Sequence, residues 1–101
     1  MTEKGEEMYK IDNQWRIKLP EGLLELSQVK NAKQIVLAQE DEKTFQVIDV
    51  KEIPDDAKIV TGSINITESG RIFVPSVLRK RFSEVKNVQI YVKAKKLYIE
   101  F

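Results

Sequence analysis

The chain repeats itself at a distance of about 55 residues. The segment Ile11-Asp-Asn-Gln-Trp-Arg-Ile-Lys-Leu-Pro20 returns as Ile66-Thr-Glu-Ser-Gly-Arg-Ile-Phe-Val-Pro75. A repeat of this length is usually one supersecondary unit that cannot bury its apolar face alone and packs on its copy. At 101 residues the chain has room for one compact domain. We therefore expect a single domain over residues 1–101, a covalent pseudo-dimer of two repeats (8–50 and 63–101) with a charged linker at 51–62.

Each repeat has the pattern of a ββαββ unit. Alternation of apolar and polar residues predicts a first hairpin at 8–11 with 15–19, repeated at 63–67 with 71–74. Pro20 and Pro75 end these hairpins, and short helices follow at 21–26 and 76–82. Closing hairpins are expected at 34–38 with 44–48 and at 88–92 with 97–101. The apolar stripes that should hold the helices are Leu23 with Leu26 and Leu78 with Phe82. Residues 1–7 are expected to be a disordered lead-in.

The amino-acid composition argues against an enzyme and against a metal-binding protein. The chain has no Cys and no His. It therefore lacks the thiolate nucleophile, the side chain that most often transfers protons near neutral pH, and the commonest nitrogen ligand for metals. We expect no enzyme activity, no metal site and no cofactor. The polar, acidic start of the chain is wrong for a secretory signal, and the longest uncharged stretch, 59–67, is far short of the roughly 20 residues that span a bilayer. A cytoplasmic protein without a membrane partner is the expectation.

Charge is divided unevenly between the halves. Residues 1–55 carry 8 Lys and Arg against 12 Asp and Glu, a net charge of −4, whereas residues 56–101 carry 9 against 4, a net charge of +5. Such an asymmetry favours an anionic partner for the second half. The alternative is that both signs belong to ordinary solvated surface.

The run Gly70-Arg-Ile-Phe-Val-Pro-Ser-Val-Leu-Arg-Lys-Arg-Phe82, followed by the hairpin at 88–92 and 97–100, closely resembles the DNA-binding domain of AbrB/SpoVT-type bacterial transition-state regulators. Two such units in one chain are similar to MraZ-like proteins, whose repeats each carry Asp-x-x-x-Arg. Asp12 and Arg16 keep that motif in the first repeat, whereas Thr67 stands where the second would have its Asp. The resemblance implies a mainly β fold with short helices, in which tandem ββαββ repeats form a swapped-hairpin β-barrel.

The same resemblance implies a DNA-binding transcription regulator whose partner is double-stranded DNA. It assigns DNA contact to Arg71, Arg79 and Lys80, so the basic face belongs mainly to the second repeat. Arg81 lies beside them and is included as a candidate, although the family pattern does not map onto it. Arg16 is a further candidate, with an ion pair to Asp12 across its loop as the alternative. The basic run 79–81 could also be only the solvated face of a short helix.

A protein-interaction or assembly module, including an antitoxin-like one, is the alternative function. In that case the barrel is kept and DNA binding is lost. Trp15 replaces the turn glycine in the first repeat, and Leu24-Glu25 stand where a basic pair would be. Self-association beyond the pseudo-dimer stays open. A contiguous positive face with Arg71 and Arg79 favours DNA, whereas a face interrupted by Glu25 or Asp12 favours a protein partner.

Overall fold

A computed structural model describes residues 2–4 and 8–101. The described residues form nine strands and two helices. In chain order these are β1 (Thr2–Lys4), β2 (Tyr9–Lys10), β3 (Arg16–Lys18), α1 (Glu21–Leu26), β4 (Gln34–Gln39), β5 (Thr44–Asp49), β6 (Ile64–Asn65), β7 (Arg71–Phe73), α2 (Ser76–Arg81), β8 (Asn87–Lys93) and β9 (Lys96–Glu100). The predicted strands and helices are thus present, most with bounds shifted by one or two residues. The predicted first hairpin of each repeat is wrong, because β2 pairs with β8, β6 pairs with β4, and β3 and β7 pair with each other.

The strands make a curled antiparallel sheet that forms a half-barrel. Among the described residues, its order is β1-β8-β9-β5-β4-β6, with β2 also paired to β8, while β3 and β7 form a separate two-stranded sheet. The expectation of a mainly β protein with short helices is confirmed at this level.

Pairing between strands runs largely across the two repeats. The hairpins β4–β5 and β8–β9 pair internally, but β2 pairs with β8, β3 with β7, β4 with β6 and β5 with β9. The main apolar core accordingly draws fully buried side chains from both repeats, including Ile17, Ile35 and Phe45 from the first and Ile72, Leu78 and Ile99 from the second. Neither repeat therefore holds its strands and core residues in place without the other.

The two helices begin after prolines and bury different amounts of apolar surface. Pro20 and Pro75 are extended residues immediately before the helices, with φ/ψ of −64°/126° and −62°/151°. Leu78 of α2 is buried, whereas α1 has no buried residue. The predicted stripe of Leu23 with Leu26 is wrong, because Leu26 is 56% exposed. The helix ends there since the Ser27 N–H and hydroxyl both donate to the Leu24 carbonyl and turn the chain away.

Two segments outside the predicted units lie against the sheet. The expectation of a disordered lead-in is wrong for β1, which pairs with β8 from Thr2↔Lys93 to Lys4↔Tyr91; residues 1 and 5–7 lie outside the described part. The segment between the repeats follows the edge of β4, where Val60 N–H donates to the Leu37 carbonyl at 3.0 Å. It also covers a second, smaller apolar cluster made of Val36, Ala38 and Ile48 with Val50, Ala57 and Ile59.

Neither helix of the described chain is long and apolar enough to cross a membrane.

Candidate nucleic-acid interface

The ribbon formed by β3 and β7 presents one buried face and one water-facing face. Its register pairs Arg16 with Phe73, Ile17 with Ile72, and Lys18 with Arg71. Ile17 and Ile72 point into the core and are 0% and 1% exposed. Because side chains alternate along a strand and directly opposed residues share a face, the two outer pairs point together to the other side. Three cations and one exposed phenylalanine therefore lie on a single face, which we call the ribbon face: Arg16, Lys18, Arg71 and Phe73.

Lys18 and Arg71 oppose each other directly on the ribbon face. The ladder bonds at the two ends of the ribbon, from Leu19 N–H to the Gly70 carbonyl and from Val74 N–H to the Trp15 carbonyl, set the alternation that makes Lys18 and Arg71 a non-hydrogen-bonded pair. Side chains are closest in such pairs, with Cα atoms about 4.5 Å apart. Like charges in this position destabilise a sheet. Among the described residues neither side chain has an ion pair, so the cost is not offset within the part of the chain that the structure describes.

The two turns that lead into the ribbon have the same backbone and different chemistry. Trp15 and Gly70 occupy equivalent places with φ of 60° and 81°, and each donates its N–H to the carbonyl three residues before it. This left-handed conformation suits glycine and is strained for a side chain as large as that of Trp15. The Trp15 side chain is half-buried against the core. Trp15 thus occupies a turn and packs on the core.

Asp12 binds Arg16 through both backbone and side chain. Its Oδ1 accepts the N–H groups of Gln14 and Arg16, each at 2.9 Å, and its Oδ2 accepts Arg16 Nε at 2.8 Å. The backbone N–H of Arg16 is the main cause that lowers the Asp12 pKa, and the Gln14 N–H and the Arg16 guanidinium add to it. Asp12 is therefore charged near neutral pH and neutralises Arg16. Of the two alternatives for Arg16, the structure contains the ion pair.

Thr67 occupies the position in the second repeat that Asp12 has in the first, but it carries no charge. Its hydroxyl accepts the Arg71 N–H at 3.0 Å and lies 3.0 Å from the Ser69 hydroxyl, so the turn is still closed by a side chain. A hydroxyl cannot neutralise a guanidinium. Arg71 is therefore left as an available cation, while Arg16 at the equivalent place is paired.

Helix α2 adds two cations at the end of the ribbon. Arg79 Nε donates to the carbonyl of Val74 at 2.7 Å, and the N–H of Val74 in turn bonds the Trp15 carbonyl. This bond fixes the Arg79 guanidinium beside Val74, the residue that follows β7, and leaves its two terminal nitrogens without a partner among the described residues. Lys80, next along the helix, is exposed. The structure thus joins Arg79 to the strand that carries Arg71.

Arg81 is held by other contacts. One terminal nitrogen donates to the carbonyl of Glu42 at 2.8 Å, and the guanidinium lies over the rings of Phe45 and Phe82, at 5.8 and 5.2 Å from their centres. These contacts fasten α2 to the β4–β5 hairpin of the first repeat. The neighbouring loop is acidic, with Glu40, Asp41 and Glu42 in sequence. Of the predicted basic residues on α2, Arg81 is thus the one that the structure places beside an acidic loop.

Lys18 is the residue that the sequence reasoning missed. Lys18 aligns with Phe73 when the two repeats are compared, so no basic residue recurs at this position to mark it as a candidate. Only the register between the repeats brings it opposite Arg71. On the other helix, Glu21 and Glu25 are exposed where α2 has Ser76 and Lys80. The cations without an ion pair among the described residues thus include Lys18 and Arg71 on the ribbon and Arg79 and Lys80 on α2, which favours DNA. Asp12 neutralises Arg16, which by the criterion set from the sequence favours a protein partner.

Comparison with protein-family models, curated proteins and solved structures found no match in any of the three. Within the described residues no group of three or more Asp, Glu, His or Cys side chains comes together as a metal site would require.

Proposed function

We propose that this chain binds double-stranded DNA as a transcription regulator of the AbrB/MraZ type, through the ribbon face and the start of α2. The observation that carries the proposal is the facing pair of Lys18 and Arg71, two cations that have no ion pair among the described residues. Like charges that oppose each other in this way are expected to weaken a ribbon. An arrangement that costs folding energy is accounted for if an anionic ligand uses it. The phosphate backbone is such a ligand.

The geometry suits a duplex. The major groove, about 12 Å wide, accepts a two-stranded β-ribbon. A strand rises about 3.4 Å per residue, so the Arg16–Phe73 and Lys18–Arg71 pairs are about 7 Å apart along the ribbon. Arg79 extends the line of cations past the ribbon end through its bond to Val74. Arginine forks can reach phosphates or guanine edges from these positions.

The fold that we propose for this function is the swapped-hairpin barrel implied by the sequence resemblance. The pairing of β2 with β8 and of β6 with β4 supports it, because each repeat places its first strand beside the closing hairpin of the other. The self-equivalent pairs β3–β7 and β5–β9 lie where a two-fold axis would relate the repeats.

A triple variant tests the function. Arg71, Arg79 and Lys80 changed together to Ala should abolish measurable duplex binding, because three of the four available cations are lost. The fold should be kept, since Arg79 and Lys80 are exposed and Arg71 points outward from the ribbon. The matched control changes Lys33, Lys43 and Lys51 to Ala, which removes equal charge from exposed positions in the first half of the chain. Binding is measured by fluorescence anisotropy with a labelled duplex, and folding by circular dichroism.

Two results would contradict the proposal. Equal weakening by both triple variants would mean that attraction is a matter of overall charge and that the site is misassigned. Absence of binding by the unmodified protein at about 50 mM salt, where the electrostatic term is strong, would exclude the function. The protein-interaction module would then take its place, favoured by the neutralised Arg16 and by the exposed Leu26 beside Glu25 on α1.

A further inference from the structure

Phe73 is a large apolar side chain that the fold turns toward water. It is 47% exposed, although its chain neighbours Ile72 and Val74 are each 1% exposed. It has no aromatic or cation–ring partner among the described residues. The equivalent position in the first repeat is Lys18, so the scaffold accepts a charged side chain at this place. Folding therefore gives no reason for an aromatic ring here.

The surroundings of Phe73 select the kind of ligand. On the ribbon face it lies opposite Arg16, two residues from Arg71 on its own strand, and diagonal to Lys18. An apolar group among cations fits a surface that is anionic at its rim and apolar at its centre. The major groove has that character, with phosphates along both edges and the C5-methyl group of thymine on its floor.

We propose that Phe73 reads thymine, by packing its ring on the C5-methyl group in the major groove while the cations around it hold the phosphates. The inference rests on the proposed DNA-binding function and adds a base preference to it. In direct readout, apolar side chains contact the thymine methyl group in this way. Cations alone would give affinity without this preference.

Replacing thymine by deoxyuridine tests the contact, because it removes the methyl group and leaves the base pair intact. Duplexes that bind the full chain are first selected from a random library, and each thymine of a selected duplex is then replaced in turn. One buried methyl group corresponds to about a fourfold change in affinity. We expect a loss of that size at one or two thymines for the unmodified protein. For Phe73→Ala the same replacements should change affinity by a factor of about one.

Two further variants separate the contact from general effects. Phe73→Leu keeps an apolar side chain and should keep most of the deoxyuridine effect. Ile53→Ala is the matched control, since Ile53 is 41% exposed and belongs to the linker between the repeats, outside both the ribbon face and α2, and it should keep the whole effect. All variants should unfold at nearly the temperature of the unmodified protein, because the altered side chains are exposed.

The outcomes are distinct for the two proposals. If Phe73→Ala binds the selected duplex and stays as sensitive to deoxyuridine as the unmodified protein, thymine reading by Phe73 is wrong while DNA binding stands. The same holds if the unmodified protein shows no deoxyuridine effect at any position. If no duplex is selected from the library, both the base preference and the proposed function fail.

Discussion

Replacing Lys18 by Gln should change folding stability and DNA binding in opposite directions. In the folded protein Lys18 faces Arg71 across the ribbon, and the pair is repulsive. Removing one charge should raise the free energy of unfolding by about 0.2–0.5 kcal/mol, the lower part of the range for cross-strand pairs, since both side chains are solvated. In a domain of this size that corresponds to a rise of about 1–4 °C in Tm. Salt should shrink the gain, because it screens the repulsion.

The effect on DNA binding can be worked from the number of available cations. If Lys18, Arg71, Arg79 and Lys80 each neutralise one phosphate, log K falls with log salt with a slope of about −3.6. Between 50 and 200 mM salt the unmodified protein then loses about 150-fold in affinity. Without Lys18 the slope is about −2.7, and the loss is about 40-fold. The variant should bind more weakly at 50 mM salt, and the two proteins should approach each other as salt rises.

Thermal unfolding and anisotropy titrations at several salt concentrations measure both quantities on the same samples. Lys33→Gln is the control, because it removes one exposed charge from a residue outside the ribbon strands and should change neither Tm nor slope. A Lys18→Gln protein that is less stable and keeps the slope of the unmodified protein would refute the reasoning. Lys18 would then contribute to the fold and not to a phosphate contact.

Two further predictions concern the turn and the fold. Asp12→Asn should lower the free energy of unfolding near neutral pH, because the folded state holds the Asp12 pKa below its ordinary value of 3.8. The difference in stability between the variant and the unmodified protein should be complete above pH 3.8 and should vanish as the pH falls through the lowered pKa. Thermal unfolding between about pH 2 and 7 checks this sign, and a difference that persists at the acid end contradicts it. Residues 1–57 expressed alone should be unfolded or dimerise, because β2, β3, β4 and β5 all pair with the second repeat. Sedimentation and circular dichroism would contradict the shared fold if they found a stable monomer.

Local chemistry made most of the elements predictable. Alternating apolar residues identify the strands, the prolines mark the starts of both helices, and Gly70 marks the turn before β7. The same local patterns predicted wrongly that β2 would pair with β3 and β6 with β7, because pairing across the repeats leaves no local signal. The exposed Leu26 was not predictable in this way, because helical spacing from Leu23 indicates a shared face and cannot show that the chain leaves the helix at Ser27. The strand β1 was missed since a short polar segment carries no signal of its own, and its pairing is supplied by the free edge of β8.

Only part of the candidate site could be predicted from the sequence, because local patterns do not encode which strands pair across the repeats. Arg71 and Arg79 are part of a motif that is local in sequence, so the sequence alone singles them out. Lys18 acquires its place from the register between two strands that are more than fifty residues apart, which no local pattern encodes. For Arg81 the local sequence is misleading. Its sequence neighbours suggest a DNA contact, but the Phe45 ring and the Glu42 carbonyl that hold its guanidinium belong to the other repeat.

The two strands of the ribbon come from different repeats of one chain, so the two ends of the ribbon need not carry the same residues. In a dimer of identical chains, positions related by the two-fold axis must carry the same residue. A single chain is free of that requirement, and here one such position is Lys18 while the other is Phe73. The same freedom gives one arginine of the ribbon a carboxylate and the other a hydroxyl. The ribbon therefore has distinguishable ends, and a double helix lying along it would be held in one orientation, so that its sequence would not have to be a palindrome.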